Sequence, residues 1–231
     1  MPDSQLTAAD NPALLHHFAE PQQQRDAASL GMWVFLGTEI MFFGGLFCAY
    51  LVYRRAYFGD WGAASKTLDV TLGATNTAVL ICSSLTVVLA VWAAQTGRRK
   101  LLMGNLLATL VLGTAFLGIK GIEYKEKFER HHVPGASFQF NNVTIPGHPD
   151  QYANPSHAEI FFALYFIMTG LHALHMIVGI GIFLWLTLVA WKGRFTPEYN
   201  TPVEMGGLYW HFVDIIWIYL FPLLYLIDRH P

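Results

Sequence analysis

Charge is scarce in this chain. Only 13% of its 231 residues are Asp, Glu, Lys or Arg, about half the share usual in a soluble domain. Cysteine is scarcer still. The two thiols, Cys48 and Cys82, are too few for a zinc or iron–sulfur site; each falls in an apolar run and reads as a small buried hydrophobe. No glycine-rich phosphate loop or dinucleotide fingerprint occurs, and no run of basic and aromatic residues suited to nucleic acid. HExxH is absent, as is any Ser–His–Asp or Cys–His arrangement that would supply a nucleophile. No internal repeat is visible, which weighs against a transporter built from inverted repeats. The first 28 residues are polar and lack the apolar core of a cleavable signal peptide. The first helix is therefore expected to act as the insertion signal.

Hydrophobic residues, in contrast, make up 54% of the chain, and they are gathered into long runs. A helix crosses a hydrocarbon core of about 30 Å with roughly 20 apolar residues. Five stretches meet that length: residues 29–53, 70–95, 101–120, 160–191 and 205–227. Backbone polar groups in lipid must be satisfied within the segment, and these runs are too long and continuous for barrel strands. The expectation is an all-α, polytopic membrane protein: a five-helix domain over residues 29–231, preceded by a polar segment, 1–28. Asp26 or Ser29 would cap the first helix, and AYFGDWGAASKTLD would be a plain connector to the second. Thr75, Asn76 and Thr77 could hydrogen-bond between helices. Helix three should run on as an amphipathic tail with Glu123 and Lys127 on one face. In the polar segment 131–155, SFQFNNVTI alternates like a short strand or hairpin. Asn142 heads a formal glycosylation sequon there.

The basic residues divide between the two sides of such a bundle. Arg25, Arg98, Arg99, Lys100, Lys192 and Arg194 share one side. Arg54, Arg55, Lys66, Lys125, Lys127, Arg130 and Arg229 share the other, with Lys120 near a helix end. The shortest loop, TGRRK, is the most basic, which favours a cytoplasmic N-terminus and a periplasmic C-terminus.

Ionisable groups inside membrane spans are functional candidates by default. Glu39 lies near mid-bilayer, about 15 Å along the first helix; it could be a proton-linked carboxylate or a protonated structural acid. His172 and His175 share one helix face. They could ligate haem with a histidine from another helix, but hydrogen bonds to neighbouring carboxylates or carbonyls are favoured. His211 and Asp214 also share a face, as a local ion pair or as separate bonds to other helices.

Five motifs, in order, carry a resemblance. GTEIMFFGGLF (37–47), TNTAVLICSS (75–84), GIEYKEKF (121–128), YFIMTGLHALHMIVG (165–179) and GLYWHFVDIIWIYLF (207–221) together resemble subunit III of haem-copper respiratory oxidases, the cytochrome c oxidase family, in its short five-helix bacterial form. That resemblance implies a non-catalytic core subunit in a bacterial inner membrane. It would pack directly on oxidase subunit I, within reach of subunit II, and could join other respiratory complexes. It would bind phospholipid, carry no catalytic residue and no metal, and support proton uptake for oxygen reduction, with haem and copper held by the partner subunits. Glu39 falls on the family's intramembrane glutamate, and Glu123, His172, His175, His211 and Asp214 fall on motif positions. Lys192 and Arg194, with Arg98 and Arg99, are the expected headgroup contacts. A quinol oxidase or nitric oxide reductase accessory subunit stays open within the family. Outside it, the alternatives are a haem-b electron carrier and a small-solute transporter.

Overall fold

The computed structural model describes residues 18, 20–135, 137–140 and 143–226; the sequon residue Asn142, Arg229 and most of the polar N-terminal segment lie outside them. Among the described residues, five helices are long and apolar enough to cross a membrane: α1 (Pro21–Ala56), α3 (Val70–Gln95), α4 (Arg99–Glu129), α5 (Pro155–Trp191) and α6 (Thr201–Tyr225). A sixth, α2 (Phe58–Lys66), lies in the connector that the sequence presents as a plain loop. Its nine residues are too few to show a period, and two of them are glycines. The apolar runs are thus the helices, but the helices outrun the apolar runs. α1 begins at Pro21, ahead of the apolar stretch, because proline suits a first helical position. Asp26 is therefore not a cap: it lies inside the helix and accepts from Gln22 Nε2 at 2.9 Å.

Caps of the expected chemistry do start two other helices. Asp69 accepts from the backbone N–H groups of Thr71 and Leu72 at 2.8 and 3.3 Å, and Asn154 accepts from that of Ser156 at 3.0 Å. The tight α3–α4 turn needs a left-handed residue, supplied by Gly97 at φ 69°. The strand pair in the polar segment sits later than its alternation suggests: β1 (Thr144–Ile145) pairs antiparallel with β2 (His148–Tyr152) across Gly147, at φ 78°.

α6 is the central helix, packed against α1, α3 and α5, while α4 closes the bundle against α3 and α5. Its two buried tryptophans are anchored by α3. Trp210 Nε1 donates to Ser83 Oγ at 3.0 Å, and Trp217 Nε1 donates to Thr77 Oγ1 at 3.1 Å. Thr75 instead bonds within its own helix, to Thr71 O. At the far end of α6, Pro222 breaks the helical ladder. Tyr50 and Ser65 then donate to the terminal carbonyls of Leu223 and Leu224. α2 is clasped to the start of α5: Asp60 accepts from Asn154 N at 2.9 Å and meets His157 Nδ1 at 2.6 Å. Both cysteines are exposed on the isolated bundle, contrary to the buried reading. In a membrane helix an apolar run does not distinguish the lipid-facing side from the core.

Candidate functional site: polar clusters within the bundle

The most completely bonded polar group inside the bundle was not legible as a unit. Lys120 and Glu123, one turn apart on α4, are 3% and 0% exposed. Lys120 Nζ donates to Glu123 Oε2 at 2.9 Å, to Tyr165 OH at 3.3 Å and to Tyr225 OH at 2.6 Å. Both phenols then donate to Glu123 Oε1, at 2.8 Å from Tyr165 and 2.5 Å from Tyr225. An ammonium has three donors, and here all three are used. Trp217 adds its ring face 4.9 Å from Nζ. A buried ion pair is tolerable only when its remaining valences are met, and this cluster meets them from α4, α5 and α6. Glu123 and Lys127 do share the buried face of α4, but Glu123 pairs with Lys120, and Lys127 donates to Thr67 O at 2.6 Å. The signal available in the sequence was the i, i+3 spacing of Lys120 and Glu123.

Glu39 and His175 meet across α1 and α5, with Oε2 and Nε2 3.3 Å apart, at ion-pair range. Hydrogen-bond alignment is not reached, so Glu39 Oε2 is enclosed without a hydrogen bond. His175 Nδ1 lies 2.8 Å from Leu171 O, which makes that nitrogen the N–H donor. A neutral ring would then turn an acceptor towards Glu39, so an attractive contact needs one further proton on either the ring or the acid. Tyr209 OH donates to His175 O at 3.0 Å, tying the pair to α6.

His172 does not join this pair, although it lies on the same helix. Its Nε2 is 3.1 Å from Val213 O on α6, and its ring lies between Phe116 and Trp217. Nor do His211 and Asp214 form the local ion pair. His211 Nδ1 lies 2.7 Å from Ser84 Oγ on α3, while both Asp214 carboxylate oxygens are buried without a hydrogen bond among the described residues. The three span histidines are thus each drawn to a different helix or atom.

The basic residues at the opposite end separate into two groups. Arg99 donates to Ala190 O at 3.2 Å and to Trp191 O, closing the end of α5. Arg98 lies over the Trp92 ring at 4.7 Å. Lys192 and Arg194 stand exposed in the loop that follows α5.

Comparison with known proteins gives the family of the chain. The family model for cytochrome c oxidase subunit III matches residues 16–141 and 152–228, which takes in all five spans. The chain belongs to the cytochrome c oxidase subunit III family. Its relatives include the probable cytochrome c oxidase subunit 3 of Nocardia farcinica, 32% identical over 199 residues, covering 86% of this chain and 87% of the relative. The subunit of Corynebacterium diphtheriae is 32% identical over 202 residues, with 87% and 88% covered. That of Thermostichus vulcanus is 32% identical over 208 residues, with 88% and 89% covered. The subunit III family is a helical membrane family of the respiratory chain, and the chain is accordingly a multi-pass membrane subunit of a terminal oxidase.

Proposed function

We propose that this chain is the non-catalytic subunit III of a bacterial cytochrome c oxidase. It steadies the oxygen-reducing subunits, packs on subunit I beside subunit II, and holds phospholipid at their boundary. The observation that carries this reading is where its intramembrane polar groups are directed. Lys120 and Glu123 bond to Tyr165 and Tyr225, His172 to Val213 O, His211 to Ser84, and Glu39 approaches His175. Each contact joins one helix to another or closes such a cluster, which is how a scaffold uses polar side chains in lipid.

The haem and copper chemistry of the complex then belongs to the partner subunits. In this reading the chain supports proton uptake through Glu39, whose carboxylate approaches His175 at 3.3 Å within the bundle. The short basic loop at residues 96–100 supports a cytoplasmic N-terminus in the inner membrane; the relatives named above are bacterial.

The test is to tag the chain in its native membrane, purify what accompanies it, and repeat the oxidase preparation from a strain lacking it. Haem-copper subunits with a dinuclear copper site should accompany the chain. The preparation without it should keep its haem absorption but lose activity during turnover. Purification with no haem-bearing partner, or haem absorption residing in this chain alone, would overturn the proposal.

A further inference from the structure

The α3–α6 seam carries a groove that the bundle leaves open. One part, about 430 Å³, is bounded by Trp92 and Gln95 of α3 and Glu204 of α6. The other, about 420 Å³, is bounded by Ser84 of α3 and Asp214 of α6. The two parts share Val88 and His211, so they form one channel along the helix pair. From Leu80 to Gln95 it runs about 22 Å at helical rise, most of a hydrocarbon core of about 30 Å.

Inward of the Gln95–Glu204 end, its walls are apolar except at one depth. His211 lies about 15 Å into α6 and engages Ser84 through Nδ1; its other ring nitrogen has no partner among the described residues. Asp214, one turn on and 3% exposed, has neither oxygen bonded. Ser84 cannot meet every need here, although a hydroxyl donates one proton and also accepts through its lone pairs. If it donates to His211 Nδ1, the other ring nitrogen carries an unmet N–H. If it turns its proton to Asp214, His211 must donate through Nδ1, and its other nitrogen becomes an unmet acceptor. Either way that ring nitrogen borders the groove, where no water repays it.

An acyl chain would fill such a groove and leave this deficit untouched. A helix carrying a hydroxyl, amide or basic side chain would fill the groove and remove the deficit. We propose that the α3–α6 groove seats a transmembrane helix of a partner subunit, which presents a hydrogen-bonding side chain to the unbonded ring nitrogen of His211, beside the enclosed Asp214, at mid-membrane depth. This rests on the reading of the chain as one subunit of a larger oxidase.

The experiment uses the complex purified from native membranes, with a photoreactive benzoylphenylalanine placed at Leu85 or Ile215 on the groove rim, or at Val111 on α4. All three positions are exposed on the isolated chain, at 60%, 51% and 67%. Illumination should join Leu85 and Ile215 to a transmembrane peptide of a partner subunit, and Val111 to a different peptide or to lipid. Adducts at Leu85 and Ile215 with phospholipid only, or with a second copy of this chain, would overturn the proposal. In parallel, His211→Leu with Asp214→Leu should lower retention of the chain on its partners at least tenfold in detergent. His211→Gln should restore much of the binding relative to His211→Leu, and the helicity of each isolated variant should match the parent. Undiminished retention of the double variant would also overturn it. If the unaltered chain brings down no oxidase subunit, the functional reading itself fails. If it brings them down but the groove captures lipid, only the docking surface fails.

Discussion

At the scale of single residues, Lys120 and Glu123 show what a buried charge requires. Every ammonium proton has an acceptor, and each carboxylate oxygen has at least one donor. Removing one member strands the other, which costs about 3–5 kcal/mol for a buried pair. Lys120→Met and Glu123→Leu should therefore each destabilise the detergent-solubilised protein by about that amount in denaturant unfolding. The double substitution should recover much of the loss, since neither charge is then buried alone. His132 provides the corresponding test in the extramembrane segment. Its ring packs between Phe140 and Phe162. Burial first, then the positive charges of Lys127 and Arg130, push its pKa down from 6.5 to about 4. Between those two values the unfolded segment binds more protons than the folded one, so stability falls as the pH drops from 6.5 to 4. Amide protection factors at residues 132–135 and 137–140, corrected for the intrinsic pH dependence of exchange, should fall over that window, and His132→Phe should flatten the dependence.

Helix α6 shows the element scale. It is held through its tryptophans, and the glycines opposite make room for one of them. A Cβ added at Gly113 would lie 2.7 Å from Trp210 Cη2, and one at Gly179 would lie 3.0 Å from Cζ3 on the same ring. The indole cannot simply retreat, because Ser83 fixes its N–H. Gly113→Val should cost about 1–3 kcal/mol through overpacking. Adding Trp210→Phe should offset part of that by freeing space, as read from unfolding midpoints of the single and double variants. The same contacts explain why α3 carries small polar residues on this face: Thr77 and Ser83 are acceptors for indole donors arriving from α6.

On the scale of the whole molecule, polar chemistry is concentrated at particular levels of the bundle. The Lys120 cluster ties α4, α5 and α6 together near the end that carries α2 and the β-hairpin. At the opposite end, Arg99 is engaged with the end of α5, while Lys192 and Arg194 are exposed. Basic side chains beside a membrane attract anionic headgroups at about 1 kcal/mol each. Lys192→Ala with Arg194→Ala should therefore lower the anionic phospholipid retained after purification, measured by mass spectrometry. Arg99→Ala should act differently, lowering stability by uncapping α5 before it alters lipid content.

The number and class of the spans were determined by composition alone, because a backbone in hydrocarbon has no alternative to the helix when apolar runs are this long. The order of five motifs was likewise enough to indicate the family. The caps were not legible in this way: Asp26 lies inside α1, while Asp69 and Asn154, which act within two or three residues of themselves, cap the helices that start beside them. α2 escaped notice because nine residues with two glycines carry no usable period. What only the tertiary structure decided was which polar group meets which. Lys120 needs Tyr165 and Tyr225 from helices that lie 45 and 105 positions away. His211 turns to Ser84, 127 positions away, rather than to Asp214 one turn along. Helical spacing limits which residues share a face, but the partner opposite that face is set by how the helices pack. Local spacing does not encode that choice.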